Sequence, residues 1–143
     1  MVKVMASGVF DIIHTGHISY LEQARSLGDE LVVVVACDDT VRKRKHEPIT
    51  PEAMRARIIN SLRCVDRTLV GNVGDMFLII EDIRPDIIVL GYDQAFDEKV
   101  LEEELKKRNI TAIVKRASAC SDDLTGTRKI IDRIVKEFGA ESK

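Results

Sequence analysis

Two of the chain's three histidines, His14 and His17, lie three residues apart in the segment GVFDIIHTGH, with Gly16 between them. Two imidazoles at this spacing could bind a metal ion, act as an acid and base pair, or donate hydrogen bonds to phosphate oxygens. A metal site needs further ligands, and the only candidate nearby is Asp11. Gly16 and His17 lie at the start of a predicted helix, where the free amides and the helix dipole favour an anion. We therefore predict that the two histidines bind phosphate.

A run of basic residues is the second feature that could do chemistry. Residues 42–46 read RKRKH in a chain whose net charge is −2. Such a run usually forms a solvated surface. Because it follows the second predicted strand, at the edge where α/β proteins bind ligands, we expect it to contact phosphate instead.

The elements that must position these residues are indicated by short apolar runs that alternate with helical patterns. The segments LVVVVAC and DIIVL show no polar alternation, which is typical of strands buried on both faces of a parallel sheet. We predict strands over residues 2–6, 30–37, 66–70, 86–90 and 110–115. We predict helices over residues 17–27, 51–63, 73–83, 98–108 and 125–138, with a short helix after residue 38 and with Thr50 as the cap of helix 51–63.

The alternation of strands and helices predicts an α/β fold: a Rossmann-like, doubly wound, five-stranded parallel sheet with helices on both faces. We expect a single domain over residues 1–138 and a frayed tail over residues 139–143. Ligands of such sheets bind beyond the carboxyl ends of the strands, where the strand order reverses. Most of the unusual side chains fall in four segments that follow strands: residues 7–17, 37–46, 91–96 and 116–127.

Several classes of function are disfavoured. The chain has neither GxGxxG after its first strand nor GxxxxGK[ST], which argues against a dinucleotide-dependent oxidoreductase and a P-loop kinase. The small net charge and the 4% content of aromatic residues argue against a nucleic-acid partner. No apolar run has transmembrane length, so we expect a cytoplasmic protein without membrane association. Cys37, Cys64 and Cys120 are spaced too widely to indicate a disulfide framework or a zinc site.

The segment GVFDIIHTGH resembles the signature GxFDxxHxGH of the cytidylyltransferase-like nucleotidyltransferases. Every fixed position of that signature is matched: Gly8, Phe10, Asp11, His14, Gly16 and His17. The resemblance continues through VRKRKHEPITPEAMRARIINSLRCVD to RPDIIVLGYDQ. It implies transfer of a nucleotidyl group from a nucleoside triphosphate to a phosphate acceptor, with release of pyrophosphate. Because the acceptor is already an anionic nucleophile, positioning and charge stabilisation can supply the catalysis.

The resemblance also implies roles for individual residues. Catalysis is expected from His14, His17, Lys43 and Arg44. The acceptor phosphate is expected to contact Lys43, Arg44, Lys45, His46 and Arg55. The nucleotide is expected to contact Gly8, Val9, Phe10, Asp11, His14, Gly16, His17, Gly91, Tyr92, Asp93, Gln94, Arg116, Thr125 and Thr127. No protein ligand to a metal is expected; a divalent ion, magnesium, should accompany the triphosphate, and the family implies a homodimer with residues 63–66 as a candidate contact.

Two further segments indicate the donor and the acceptor. GYDQ, residues 91–94, resembles the form found in archaeal-type FAD synthetases, which transfer AMP from ATP to FMN. RASACSDDLTGTRK, residues 116–129, differs from the RTEGISTT of glycerol-3-phosphate cytidylyltransferases. It is longer, and Gly126 replaces a serine of that motif. We therefore expect an adenylyltransferase that forms FAD and pyrophosphate from ATP and FMN. The alternatives are a CTP-dependent cytidylyltransferase for glycerol 3-phosphate or another polyol phosphate, and a non-catalytic nucleotide-binding module.

Overall fold

Strands and helices alternate through residues 1–44 and 46–139, the part of the chain that the computed structural model describes. The strands are β1 (Lys3–Gly8), β2 (Glu30–Val35), β3 (Arg67–Val70), β4 (Ile87–Leu90) and β5 (Ile113–Arg116). The helices are α1 (Thr15–Arg25), α2 (Asp38–Arg44), α3 (Glu52–Asn60), α4 (Met76–Ile83), α5 (Glu98–Lys107) and α6 (Thr127–Phe138). Every predicted element is present. None of the helices within these residues is long and apolar enough to cross a membrane.

All five strands pair in parallel, in the order β3-β2-β1-β4-β5. The chain begins at the central strand, moves outward through β2 to β3, and then returns to the other side of β1 with β4. The strand order therefore reverses between β1 and β4, beyond Gly8 and Leu90, and this is the point where such sheets bind ligands. The prediction of a Rossmann-like α/β fold is confirmed. Residues 140–143 of the expected tail lie outside the described part of the chain.

Two apolar cores, one on each face of the sheet, explain why the strand sequences lack polar alternation. Val4 and Val33 pack with α1 and α3, whereas their neighbours Met5 and Val34 pack with α4 and α5. Burial of one such side chain contributes about 1.5–3 kcal/mol, so both faces of the central strands must be apolar. The helices thereby hold the sheet rigidly, and the strand ends fix where the four polar segments begin.

Candidate active site

A cleft of about 550 Å³ lies beyond the carboxyl ends of the central strands. It adjoins a smaller cleft of about 200 Å³ beside the end of β1. Both clefts are lined by His17, Tyr20, His46, Gly91, Asp93 and Thr127. The four segments that the sequence singled out are therefore brought together, as the sheet topology predicts.

The two histidines of GVFDIIHTGH cap α1 with their own rings. The Nδ1 atom of His14 accepts a hydrogen bond from the Gly16 amide at 3.1 Å, and Nδ1 of His17 accepts one from the His14 amide at 3.3 Å. The two rings stack with centroids 3.8 Å apart. Because each Nδ1 accepts, each neutral ring carries its proton on Nε2. Each ring therefore has its donor on Nε2, and both residues line the larger cleft.

Gly16 lets the ring of His14 lie against the backbone. A Cβ atom at this position would be 2.8 Å from both Nδ1 and Cε1 of His14, and 3.3 Å from Cβ of Thr125. The glycine of the signature is thus required by close approach of an imidazole and of the neighbouring segment. Burial lowers the pKa of His14 from 6.5, which favours the neutral form that the cap requires.

Aromatic packing supports the second histidine from below. The ring of Phe10 meets His17 edge-on, with centroids 5.4 Å apart, and stacks on Tyr20 at 6.4 Å. The buried hydroxyl of Tyr20 donates to the Val89 carbonyl at 2.6 Å and accepts from the Ser7 amide at 3.2 Å. Tyr20 therefore joins the ends of β1 and β4 directly beneath the cleft.

Phe10 and Ile12 both lie in the left-handed region, with φ angles of 57° and 52°. Such angles are uncommon and unfavourable for residues other than glycine, and they cluster at functional sites. The signature segment is thus a strained turn that the surrounding contacts maintain.

Asp11 fastens the segment before α3 to the signature segment. Its buried carboxylate accepts from the Ile49 amide at 2.7 Å, the Thr50 amide at 3.1 Å and the Thr50 hydroxyl at 2.6 Å. Burial raises the pKa of this carboxyl, but the hydrogen bonds from Thr50 and Ile49 and the charge of Arg55 outweigh that effect. The pKa of Asp11 is therefore lowered from 3.8.

The prediction that Thr50 caps helix 51–63 is wrong. Pro51 occupies the cap position and α3 begins at Glu52. The Thr50 amide and hydroxyl both donate to Asp11 instead, and these two bonds fix Thr50 outside the helix.

The start of α6 is attached to the same segment. The Thr127 hydroxyl donates to the backbone carbonyl of Asp11. Thr125 and Gly126 line the larger cleft, next to the histidines. The N-terminus of α6 therefore lies at the cleft, where we expect phosphate.

The basic segment divides into residues with different surroundings. His46 lines both clefts, and its Nδ1 lies 2.7 Å from the Glu47 carbonyl. Lys43 and Arg44 are exposed at the end of α2, and neither is among the described residues that line the clefts. Lys45, also expected at the acceptor phosphate, lies outside the described residues.

Arg55 is not at the cleft surface, where a phosphate contact would require it. It is 1% exposed and donates to the carbonyls of Thr50 at 2.9 Å, Val9 at 2.8 Å and Ala36 at 2.7 Å. It also pairs with Asp38 at 2.6 Å. The structure therefore corrects the expectation for Arg55: its charge holds the ends of β1 and β2 and the start of α3 together.

GYDQ contributes both lining and bracing residues. Gly91, Tyr92 and Asp93 line the larger cleft, and the last two have exposed side chains. Gln94, expected to contact the nucleotide, uses its side-chain amide within the protein. Its oxygen accepts from the Gly91 amide at 2.9 Å and its nitrogen donates to the Ser7 carbonyl at 3.2 Å. Gln94 thus ties β4 to β1 across the switch point.

Sequence reasoning missed several residues that line the larger cleft. They include Ser118, Cys120, Arg128 and Ile131. Arg128 and Ile131 lie at intervals of three from Thr125, so a helical face starting at Thr125 would have identified both. Ser118 follows β5 and bonds through its amide to the Gln23 side chain at 2.9 Å, a contact with no local sequence signal.

The fold and the site together define a nucleotidyltransferase: a Rossmann-like sheet whose switch-point cleft is lined by two imidazoles and a helix N-terminus, groups that can bind phosphate. Comparison with known families agrees with this class. The profile of the Cytidylyltransferase-like family matches residues 5–138. The chain belongs to this family.

Similar proteins come from archaea. A protein named FAD synthase from Aciduliprofundum boonei is 58% identical over 136 residues, which are 94% of this chain and 91% of the relative. A FAD synthase from Archaeoglobus fulgidus is 47% identical over 94% of this chain and 98% of its own length. The crystal structure of a lipopolysaccharide core biosynthesis protein from Thermoplasma volcanium matches with a TM-score of 0.83 and 49% identity, covering 85% of this chain and 99% of that one.

Proposed function

We propose that this chain transfers the AMP group of ATP to the phosphate of FMN, forming FAD and releasing pyrophosphate. The observation that carries the proposal is the pair of oriented donors on His14 and His17, which share one cleft with the N-terminus of α6. The relatives named FAD synthase support the choice of ATP and FMN.

The chemistry requires little beyond positioning and charge stabilisation. A phosphate oxygen of FMN attacks the α-phosphorus of ATP, and the bond from that phosphorus to the oxygen bridging to the β-phosphorus breaks. The acceptor is already an anion, so no strong base is needed. Negative charge builds on the bridging oxygen and leaves with pyrophosphate. His14 and His17 donate to the α- and β-phosphate oxygens, and their cap bonds hold them in place before the reaction begins.

The nucleotide fits the larger cleft. The base and ribose lie against Gly91, Tyr92 and Asp93, where an exposed ring and an exposed carboxylate can stack on the base and accept from ribose hydroxyls. The phosphates then extend toward the histidines and the first turn of α6, where Thr125 and Thr127 lie.

The acceptor phosphate fits the smaller cleft, between the end of β1 and His46. The bond to the Glu47 carbonyl requires a proton on Nδ1 of His46, which fixes the orientation of the ring at the junction of the two clefts. Lys43 and Arg44 lie close by in the chain, and their exposed cations supply the positive charge that a phosphate dianion attracts. Arg55 has no place in this acceptor site, because its guanidinium is buried in contacts with the protein.

Magnesium enters this proposal with the nucleotide. Across residues 1–44 and 46–139, no group of three or more His, Cys, Asp or Glu side chains is arranged to hold a metal ion. Magnesium typically keeps several waters and binds substrate phosphates, so triphosphate oxygens suffice to carry it. When bound, it neutralises phosphate charge, while the histidines and the α6 amides orient the triphosphate.

The test is an assay that combines two donors with two acceptors. Purified protein with magnesium is given ATP or CTP together with FMN or glycerol 3-phosphate, and FAD and pyrophosphate are both measured. We expect FAD and equimolar pyrophosphate from ATP with FMN. CDP-glycerol without FAD would refute the acceptor and favour the polyol phosphate alternative. Tight ATP binding without product from any acceptor would assign a non-catalytic binding module.

A second copy of the chain is the partner that we propose. Helix α6 buries none of its residues and leaves Ile134, Val135 and Phe138 at least 49% exposed. If two α6 helices pair antiparallel about Ile134, a twofold axis places Asp132 of each copy opposite Lys136 of the other. Light scattering should therefore report a dimer that Phe138→Glu converts into a monomer, and a monomeric wild type would refute this partner. A contact at residues 63–66 stays a prediction.

A further inference from the structure

The segment between β4 and α5 is held by a single side chain from the neighbouring strand. Arg116, the last residue of β5, donates from Nη1 to the carbonyl oxygens of Gly91 at 2.9 Å and Gln94 at 2.8 Å, and from Nη2 to that of Phe96. Its Nε also donates to the Glu98 carboxylate at 2.8 Å. One guanidinium thus collects carbonyl groups from both ends of the segment.

This arrangement depends on the shape of the arginine side chain. Its guanidinium is planar and always charged, and its N–H groups form a rigid fork. Glu98 orients the fork from one side, while the segment carbonyls approach from the other. A lysine ammonium at this position is a point charge and could bond only part of the same set of oxygens.

Two side chains of the segment that Arg116 holds, Tyr92 and Asp93, line the larger cleft. Tyr92 is 54% exposed, and Asp93 lines both clefts. Gln94 adds a second attachment, through its bonds to the Gly91 amide and the Ser7 carbonyl. Tyr92 and Asp93 are therefore held at the cleft by contacts within the protein alone, which lowers the ordering cost of binding a ligand there.

We propose that Arg116 is a positioning residue for the nucleoside part of ATP, which it affects through the conformation of Tyr92 and Asp93. It does not bind the triphosphate, in contrast to the nucleotide contact that the sequence led us to expect. The inference rests on the proposed function only for the place of the base and ribose. A binding measurement can test it without turnover.

The experiment compares Arg116→Lys with Arg108→Lys. Arg108 is also an ion-paired arginine, 3.1 Å from Asp75, but it lies at the end of α5 and lines neither cleft. Calorimetric titration measures the Kd of ATP and of inorganic pyrophosphate, which occupies only phosphate positions. In Arg116→Lys we expect the Kd and KM of ATP to rise about tenfold or more, the change expected from one lost charge-assisted hydrogen bond. The Kd of pyrophosphate and kcat should change much less, and Arg108→Lys should leave all four values unchanged.

Two results would overturn the inference. Equal weakening of ATP and pyrophosphate would show that Arg116 contacts phosphate. Unchanged ATP binding with a lower Tm would show a role in stability alone. If Arg116→Lys does not fold, Glu98→Gln is measured instead, since it keeps an acceptor oxygen but removes the orienting charge. In Glu98→Gln the Kd of ATP is then expected to rise more than the Kd of pyrophosphate, by a smaller factor than in Arg116→Lys. If the two Kd values change equally or not at all, the inference is overturned. A wild type that binds ATP but forms no FAD would refute only the proposed function.

Discussion

Replacement of Asp11 by asparagine tests how the site is assembled, because it removes one charge and leaves the size of the side chain unchanged. In the structure Oδ2 accepts from the Ile49 amide at 2.7 Å, while Oδ1 accepts from the Thr50 amide at 3.1 Å and the Thr50 hydroxyl at 2.6 Å. Asparagine has a single amide oxygen. Whichever way the asparagine amide is turned, its NH₂ group takes the place of one carboxylate oxygen. A backbone N–H that donated to that oxygen then faces another donor.

The expected loss of stability follows from these contacts. A hydrogen bond to a charged group contributes about 1.5–3 kcal/mol, and a buried donor left without a partner costs about 1–3 kcal/mol more. Asp11 is 4% exposed, but Ile49 is 59% exposed, so water can partly satisfy its amide. We therefore expect Asp11→Asn to lower the free energy of unfolding by about 2–4 kcal/mol.

The same substitution should affect the acceptor more than the nucleotide. The segment that Asp11 holds includes His46, which lines both clefts, and it follows the exposed cations of α2. A misplacement of about 1 Å can cost about 100-fold in rate. We expect kcat/KM for FMN to fall by about that factor. The Kd of ATP should change less, since the base and ribose are proposed to lie at residues 91–93.

Urea denaturation at neutral pH and steady-state kinetics of FAD formation provide the two measurements. Asp86→Asn is the matched control. The Asp86 carboxylate accepts from the Lys3 amide at 2.8 Å, at an exposed site beside the amino-terminal ends of the strands, away from the clefts. Its effect should stay below about 1 kcal/mol. The reasoning is refuted if Asp11→Asn destabilises the protein no more than Asp86→Asn, or if kcat/KM for FMN is unchanged.

Three further predictions concern the histidine cap. Gly16→Ala places a methyl group 2.8 Å from the His14 ring, so we expect the ring to move and kcat for FAD formation to fall by about tenfold or more. His14→Ala and His17→Ala should each lower kcat by on the order of 100-fold with a smaller change in the Kd of ATP, and an unchanged kcat would assign them a structural role alone. Burial lowers the pKa of His14 from 6.5, so the unfolded chain binds the proton first as the pH falls. Stability from this group should be complete above pH 6.5 and decline as the pH drops toward the folded-state pKa. Urea denaturation at a series of pH values should show this decline in the wild type, reduced in His14→Ala.

The fold could be predicted because its signals are local and repeated. LVVVVAC and DIIVL are strands buried on both faces, and such strands admit no polar alternation. The right-handed crossover rule and the strand-helix alternation then leave few topologies. The position of GVFDIIHTGH at the switch point follows from that topology without knowledge of any side-chain contact.

The roles of the charged residues could not be predicted in the same way. Arg55 bonds to Val9, 46 residues away, and Arg116 to Gly91, 25 residues away. A sequence shows the charge of an arginine but not whether backbone carbonyls from distant segments converge on it. The Thr50 cap was wrong for the same reason, since a tertiary carboxylate competed with a local preference.

The polar residues around the two clefts divide into two groups by the partners of their polar atoms. Asp11, Arg55 and Arg116 direct their charges at groups of the protein itself, and each joins segments that are distant in the sequence. The cleft receives instead the imidazoles of His14 and His17, together with the N-terminus of α6. Donors held in this way need not reorganise when charge develops on a phosphate oxygen, and such preorganisation is usually the largest contribution to catalysis of this type. We therefore expect charged residues that contact no substrate to affect the rate, because they hold the segments from which the histidines project.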